Sequence, residues 1–185
     1  TPGQRDTDRN HQTPRTLIRA ILIFALAVLS GCATTPESPA RPPAGEIAQF
    51  AFIGRIAVRH GDVRHNAKVD WHHETGRDAV LLTTPFGQGV AELTRDATGA
   101  RLVLADQRRF AAGDWSTLSQ QVFGFPLPLG TSARWLLGDI AETEGWRVTI
   151  VEHESAAADA LPTVIELERD DIFVRLKIDE WLEVR

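Results

Sequence analysis

The sequence predicts a mainly β domain in which a curved antiparallel sheet, or incomplete barrel, surrounds an apolar interior. Three observations predict it. Apolar and polar residues alternate with a period of two through most of residues 46–185, turn signals such as Thr98-Gly99 separate the alternating runs, and only two short stretches have helical character. A sheet of this kind must close or be covered, because open edges and an exposed apolar face are costly. Periodicity leaves open whether the interior is a ligand cavity or a packed core.

The strands are expected in order along the chain. The first two place their apolar residues on one face each, namely Phe50, Phe52, Ile56 and Val58, then Ala67, Val69 and Trp71. Further strands are expected at 79–84, 89–95, 100–106, 146–152, 163–169 and 172–179. One helix is expected at 114–123, with Asp114 as its cap, and a second at 131–137, ended by Gly138. These helices are expected to cover one mouth or face of the sheet.

Residues 1–31 have the order of an export signal rather than of a membrane span. The uninterrupted apolar run extends only from Ala20 to Leu29, about half of the ~20 residues that a spanning helix needs. Arg15 and Arg19 precede this run, and small residues follow it. We therefore expect residues 1–31 to be a signal peptide that is not part of the fold.

The block Leu29-Ser30-Gly31-Cys32 resembles a bacterial lipobox, in which cleavage before the cysteine is coupled to its lipidation. Cys32 is the sole cysteine, so no disulfide within one chain explains it, and its Pro-rich flank disfavours a buried structural cysteine. Ala33, rather than Asp, follows it, which is typical of sorting to the outer membrane. Residues 32–45 are expected to form a lipidated, Pro-rich tether, and residues 46–185 the folded domain. The expected location is the periplasmic face of the outer membrane.

The charge of the chain argues against nucleic acid as a partner. The formal net charge is −5, and it becomes −7 without residues 1–31, which carry four Arg and two Asp. Nucleic-acid binding needs a basic face that displaces counterions. We also expect no basic stripe that would attract anionic lipid headgroups. The lipid anchor, rather than charge, is therefore expected to hold the protein at the membrane.

No catalytic or metal-binding constellation is apparent, so we expect neither an enzyme nor a cofactor. Four histidines lie close together with several carboxylates, but without the spacing of a metal site: His60, His65, His72 and His73, near Asp62, Asp70 and Glu74. His72 and His73 are adjacent on a strand and so face opposite ways. We expect these histidines to be solvated at strand ends. The sequence also lacks a nucleophile elbow and a phosphate-binding loop.

A large apolar residue stands in a predicted turn. In “TTPFGQG”, Thr83 to Gly89, Phe86 lies between Pro85 and Gly87, where a polar residue is usual. One interpretation is that Phe86 folds back onto the sheet. The other is that it contacts a bilayer or an acyl chain, because exposed apolar patches mark such contacts.

Several segments together resemble the LolB family of outer-membrane lipoproteins. They are “FIGRIAVR”, “KVDWHHETGRDAVLLTTPFGQGVAEL”, “GFPLPLGTSARWLLG”, “EGW” and “FVRLKIDEW”, which cover residues 52–138 and 145–181 in order. The resemblance implies an incomplete antiparallel β-barrel with a helical lid over an apolar cavity for acyl chains. It also implies a monomer that receives acylated lipoproteins from a LolA-type periplasmic carrier and inserts them into the outer membrane. Family members carry a longer insert where this chain has only residues 140–144, so a strand or part of the lid is expected to be absent.

The resemblance gives Pro85, Phe86 and Gly87 the place of a protruding loop that delivers cargo to the membrane. Strand parity and helix faces then suggest the residues of the cavity wall: Phe52, Ile56, Val58, Val69, Trp71, Leu93, Trp135 and Trp146. Each of them is equally well explained as ordinary core, and Trp181 is expected in the core.

The implied mechanism is transfer down a gradient of affinity, because the chain has no ATP-binding motif. Each methylene exposed to water costs ~0.8 kcal/mol, so the chains must pass directly from one apolar receptacle to the next. This requires a roomy apolar interior. One alternative is a lipid-anchored structural or assembly module with a filled β core. Another is a periplasmic hydrolase or metal binder, which only the His cluster supports.

Overall fold

A single nine-stranded antiparallel sheet organises the protein in the computed structural model, which describes residues 42–141, 143 and 145–185. Its strands are β1 (Gln49–His60), β2 (Val63–Glu74), β3 (Arg77–Thr83), β4 (Gly89–Asp96), β5 (Gly99–Leu104), β6 (Arg109–Ala112), β7 (Arg147–His153), β8 (Pro162–Arg169) and β9 (Ile172–Val184). The spatial order is β6-β5-β4-β3-β2-β1-β9-β8-β7. Because β6 and β7 are the two edges, the sheet is curved but not closed.

Two helices lie between β6 and β7 in the chain, α1 (Trp115–Phe123) and α2 (Leu129–Leu136). The Asp114 carboxylate caps α1 by accepting hydrogen bonds from the backbone N–H and the hydroxyl of Thr117, each at 2.8 Å. These bonds, the backbone one first, lower the pKa of Asp114. Gly124 ends α1 in the left-handed region, at φ +82°. The Ser119 hydroxyl accepts the N–H of Leu127 at 2.8 Å, which fixes the interhelical linker to α1.

The hydrophobic core lies between the concave face of the sheet and the two helices. Phe52 and Leu102 from the sheet and Leu118 from α1 are fully buried, and Trp135 of α2 is almost so. Trp181, as expected, packs in this core, with its ring centroid 5.4 Å from that of Phe52. Among the described residues, no helix has both the length and the apolar character needed to span a membrane.

The predicted fold class is confirmed, with differences at particular elements. All eight predicted strands are present, whereas β6 was not predicted because it has only four residues. Helix α2 begins at Leu129, two residues before its predicted start. The described residues between α2 and β7 contain neither a helix nor a strand. The predicted signal peptide, Cys32 and the tether up to residue 41 lie outside the described residues.

Candidate functional site

An apolar cavity of about 110 Å³ lies between the concave face of the sheet and the helices. Its sheet side is lined by Ile56, Trp71, Ile165, Leu167, Val174 and Leu176, and its helical side by Trp115, Leu127, Leu129, Ser132, Trp135 and Leu136. Ser132 is the one hydroxyl in this wall, and that hydroxyl donates to the Pro128 carbonyl at 2.7 Å. The wall therefore offers an incoming group an almost purely apolar surface.

Three of the eight predicted wall residues, Ile56, Trp71 and Trp135, line this cavity. Phe52, Val69 and Leu93 are buried in the core beside it instead. Val58 and Trp146 belong to a second apolar cluster, which also contains Phe125, Trp135, Ile172 and Val174. Ile56 and Leu167 pack against both clusters. The role of all eight residues in binding acyl chains stays a prediction.

Sequence reasoning missed Trp115 and the cavity residues of β8 and β9. The parity of “TVIELER” and “IFVRLKID” already places Ile165, Leu167, Val174 and Leu176 on apolar faces. The sequence does not show that β9 pairs with β1. This pairing brings the apolar residues of β8 and β9 close to Ile56 of β1 and Trp71 of β2. Trp115 is the first residue of α1, and only the packing of that helix turns its ring inward.

The cavity is much smaller than the roomy receptacle expected from the sequence. An engineered apolar cavity of ~150 Å³ holds one benzene molecule, so about 110 Å³ cannot hold several acyl chains. Buried side chains of the helices, Trp115, Leu118, Trp135 and Leu136, occupy the space above the sheet. The space between the helices and the sheet is therefore almost filled in the described conformation.

Trp115 carries an unusual polar group at this wall. The residue is 4% exposed, and within the described part of the chain its indole N–H finds no hydrogen-bond acceptor. A buried donor without a partner loses its hydration without compensation. A ligand with a carbonyl oxygen at this point of the cavity would satisfy it.

A buried carboxylate fixes Trp71 at the opposite wall. Asp78 is 1% exposed, and its carboxylate accepts from Trp71 Nε1 at 2.9 Å and from Arg95 Nε at 2.6 Å. His73 Nδ1 lies 2.7 Å from the same carboxylate. Burial by itself would raise the pKa of Asp78, but the hydrogen bonds from His73, Trp71 and Arg95 and the charge of Arg95 outweigh it, so the pKa is lowered.

His73 was therefore wrongly expected to be solvated. Its side chain is 13% exposed, and its ring also stacks on Phe50 with centroids 4.7 Å apart. His72, on the other face of β2, is exposed. In the described ranges no group of three or more His, Cys, Asp and Glu side chains is arranged to hold a metal ion.

The turn between β3 and β4 presents Phe86 to solvent. Its ring is 94% exposed, so it does not fold back onto the sheet. The turn is closed beneath it by the Gly87 N–H, which donates to the Thr84 carbonyl at 2.9 Å, and by the Thr84 N–H, which donates to the Gln88 carbonyl at 2.8 Å. Gly87 adopts φ +86°, a conformation that glycine tolerates best. Phe86 is thus an apolar tip on a hydrogen-bonded support.

Comparison with known proteins identifies the family of this chain, which combines an apolar cavity with an exposed apolar turn. The sequence family described as “Outer membrane lipoprotein LolB” matches residues 48–181, which include both helices, strands β1 to β8 and most of β9. The chain belongs to the LolB family. It is similar to the outer-membrane lipoprotein LolB of Azoarcus sp. (strain BH72), at 32% identity over 90% of this chain and 96% of the relative. The LolB proteins of Chromobacterium violaceum and Nitrosomonas europaea are 33% and 31% identical, over 89% and 88% of this chain and 99% and 92% of each relative.

Membership of the LolB family assigns the chain to the outer-membrane lipoproteins and to the Lol pathway of lipoprotein transport. The small apolar cavity and the exposed Phe86 turn are therefore features of a protein of this pathway. The predicted lipidation of Cys32 stays a prediction, since that residue lies outside the described ranges.

Proposed function

We propose that this chain receives acylated lipoproteins from a LolA-type periplasmic carrier and inserts them into the outer membrane. In this proposal the acyl chains of the cargo lie between the concave face of the sheet and the two helices. The supporting observation is the apolar cavity roofed by α1 and α2 in a chain of the LolB family. The cavity marks the place where the helices part from the sheet.

Opening of the lid is the first step of the proposed mechanism. The helices hold the cavity closed chiefly through apolar contacts of side chains such as Trp115, Leu118 and Leu136. The N-terminus of α2 has no side-chain cap. An incoming acyl chain replaces these contacts by contacts of the same kind, so opening exchanges one apolar surface for another and exposes little of it to water.

Affinity decides the direction of transfer. Each methylene left in water costs ~0.8 kcal/mol, so a cargo with several chains must pass directly between carrier and receiver. The wall described above binds such chains through dispersion and burial, with few polar groups to strengthen the hold. A modest affinity suits a receiver that must give its cargo up to the bilayer.

Two residues have distinct roles in the proposal. The Trp115 N–H donates to a carbonyl oxygen at the root of a bound acyl chain, which orients the chain in the cavity. Phe86, on the protruding turn, enters the bilayer and starts the release. Pro85 and Gly87 hold it at the tip of that turn.

A second candidate function is a lipid-anchored structural or assembly module with a filled β core and no cargo. The small volume of the cavity favours this candidate, because the described conformation has no room for cargo chains. The two functions differ in whether the lid opens to an acylated protein.

The experiment that separates them uses the Cys32→Ala protein, which cannot carry its own lipid. It is incubated with a carrier–lipoprotein complex, and the cargo is followed by separating the two proteins. We expect the cargo to appear on the Cys32→Ala protein. Cargo that stays on the carrier, with the protein folded by circular dichroism, would overturn the proposal in favour of the structural module.

A further inference from the structure

The register of three central strands assembles a basic patch on the convex face of the sheet. Arg55 of β1 lies directly opposite Lys68 of β2 and Lys177 of β9. Ala57 lies between Asn66 and Arg175 in the next outward-facing row, and Arg59 lies between Arg64 and Phe173 in the last. We call these nine residues the convex patch. Strands ~4.8 Å apart and ~3.3 Å of rise per residue make it about 10 Å by 13 Å.

Six of the nine positions of the convex patch carry Lys or Arg, and none carries Asp or Glu. The patch holds both lysines of the chain, although the formal net charge is −5. The expectation that no basic stripe exists was therefore wrong. Along the sequence each cation alternates with an inward-facing residue, and the three strands are far apart in the chain, so only the pairing of β1 with both neighbours brings them together.

Few of these cations are neutralised. Arg55 Nη2 pairs with Asp179 at 2.7 Å, and Arg175 pairs with Glu166, both carboxylates lying outside the patch. Arg59 lies over the ring of Phe173, 5.7 Å from its centroid. Within the described ranges Arg64, Lys68 and Lys177 have neither a hydrogen bond nor an ion pair through their side chains. Like charges directly opposite each other weaken a sheet, so a bound anion would relieve the repulsion among Arg55, Lys68 and Lys177.

The shape of the patch suits a small anionic group. Two adjoining surface depressions of about 250 and about 320 Å³ share Ala57 and Asn66, whose short side chains form the floor. The longer cationic side chains stand around them. The first depression is also lined by Pro85, so the patch adjoins the turn that exposes Phe86.

We propose that the convex patch binds the phosphate groups of anionic phospholipids at the membrane surface. A bilayer is the occupant favoured by the position of the patch, because an exposed apolar ring and a cationic surface side by side match the acyl and phosphate layers of one leaflet. In choosing a bilayer, the inference rests on the proposed role of the Phe86 turn. The patch adds electrostatic attraction to that apolar contact and sets the orientation of the sheet at the membrane.

The two lysines make a direct test possible, because an amine-acylating reagent reports on the convex patch alone among side chains. The full chain is anchored in vesicles of phosphatidylcholine, with or without phosphatidylglycerol, and lysine modification is measured by mass spectrometry. No carrier or cargo is present, so failure of cargo transfer does not affect the result. We expect phosphatidylglycerol to slow modification of Lys68 and Lys177 several-fold, and salt to reverse this protection.

Three results would overturn the proposal. One is equal lysine reactivity in the two kinds of vesicle. Another is equal protection in phosphatidylcholine vesicles by added inorganic phosphate, which would indicate a site for free phosphate. The third is protection by an added carrier protein but not by phosphatidylglycerol, which would indicate a protein-docking surface.

A variant that keeps both reporters sharpens the test. Arg59→Gln/Arg64→Gln removes two cations of the patch. Each cation near an anionic surface strengthens binding about fivefold, so the affinity of the patch for the phosphatidylglycerol surface should fall about 25-fold. Arg101→Gln/Arg109→Gln removes the same charge from exposed positions of β5 and β6, outside the patch, and should leave protection unchanged. Equal behaviour of the two variants, both with unaltered Tm, would contradict the proposal.

Discussion

Asp78 illustrates, at the scale of single residues, how a buried charge shapes an apolar site. Its carboxylate binds Trp71, which lines the cavity, and Arg95, which holds the negative charge in place. The cluster was not predicted, because Trp71, His73, Asp78 and Arg95 lie on three strands and only the register brings them within hydrogen-bond distance. The sequence shows the acid, but not that it faces inward.

We predict that Asp78→Asn destabilises the protein. The substitution leaves Arg95 partly buried without its counter-charge, at a cost of about 1–3 kcal/mol. Urea unfolding at neutral pH measures this loss in the free energy of unfolding. Asp106→Asn serves as the control, because Asp106 is exposed and bonds only to Arg108, two residues away. A free energy of unfolding equal to that of the control would contradict this account of the cluster.

Lowering the pH should show the contribution of the Asp78 carboxylate to stability. Because the folded state lowers the pKa of Asp78, its contribution to stability is fully present above the unfolded pKa of ~3.9 and is lost as the pH falls through the lower, folded pKa. We expect the free energy of unfolding to depend less on pH below about 4 in Asp78→Asn than in the parent. If the free energy of unfolding depends equally on pH below about 4 in the two proteins, the lowered pKa of Asp78 is contradicted.

Trp115→Phe removes the unpaired N–H together with part of the indole ring. Stability should fall by less than a buried ring truncation usually costs, because the loss of an unpaired buried donor offsets part of the lost packing. Binding of acylated cargo should weaken by about 1 kcal/mol, or about fivefold, through loss of one hydrogen bond. A titration of cargo transfer measures this change in binding, with Trp181→Phe, a core residue outside the cavity wall, as the control. Equal binding by both variants would remove the N–H from the mechanism.

Phe86→Glu should separate acceptance of cargo from its release. The ring is exposed, so the fold does not depend on it, but a carboxylate cannot enter the bilayer as an apolar ring does. We expect cargo to be accepted normally and delivered poorly to vesicles. Val63→Glu, at another exposed apolar position, and Phe86→Leu are the matched controls. Normal release by Phe86→Glu would remove the turn from the mechanism.

Among the elements, β1 forms long pairings on both sides, with β2 from Gln49 to His60 and with β9 from Phe50 to His60. Gly54 permits a close approach at an irregularity of the β1–β9 pairing. A Cβ placed there would lie 2.4 Å from the Lys177 carbonyl oxygen, which is backbone and cannot move aside cheaply. The absence of a side chain at Gly54 thus allows the backbones of β1 and β9 to approach closely at this irregularity.

Gly54→Ala should therefore destabilise the sheet by about 1–3 kcal/mol, the usual cost of overpacking a close contact. Thermal or urea unfolding measures the change. Gly89→Ala is the matched control within a strand, because nothing lies within 4 Å of its Cβ position. If both substitutions have the same small effect, the close approach at Gly54 is not required.

Elements with a long and regular pattern were predictable, whereas their partners were not. The alternation in β1 and β2 gave their existence and inward faces, and the Asp114 cap and the Gly138 stop bounded the helical region closely. The strand β6 was missed because four residues carry too little periodicity. The convex patch was missed for a different reason, since strand register is a property of the folded sheet and not of any segment.

For the whole molecule, the proposed function requires the two helices to move away from the sheet so that acyl chains can enter. The interior is almost filled in the described conformation, and the cavity shows where the sheet and helices have left space. The sequence pattern placed the predicted wall residues on the side of the sheet that holds the cavity, but it could not distinguish residues beside the cavity from residues in the adjoining core. Both are apolar, and only the three-dimensional packing separates Trp71 from Val69.

Photocrosslinking tests most directly whether the lid opens over cargo. A lipoprotein with a photoactivatable group on its acyl chain is transferred from a carrier to the full chain, irradiated, and the crosslinked residues are mapped by mass spectrometry. We predict crosslinks in α1 and α2 and on the concave face, at residues such as Trp71, Trp115 and Leu176. Crosslinks confined to the outer surface of the sheet or to the Phe86 turn would contradict the account.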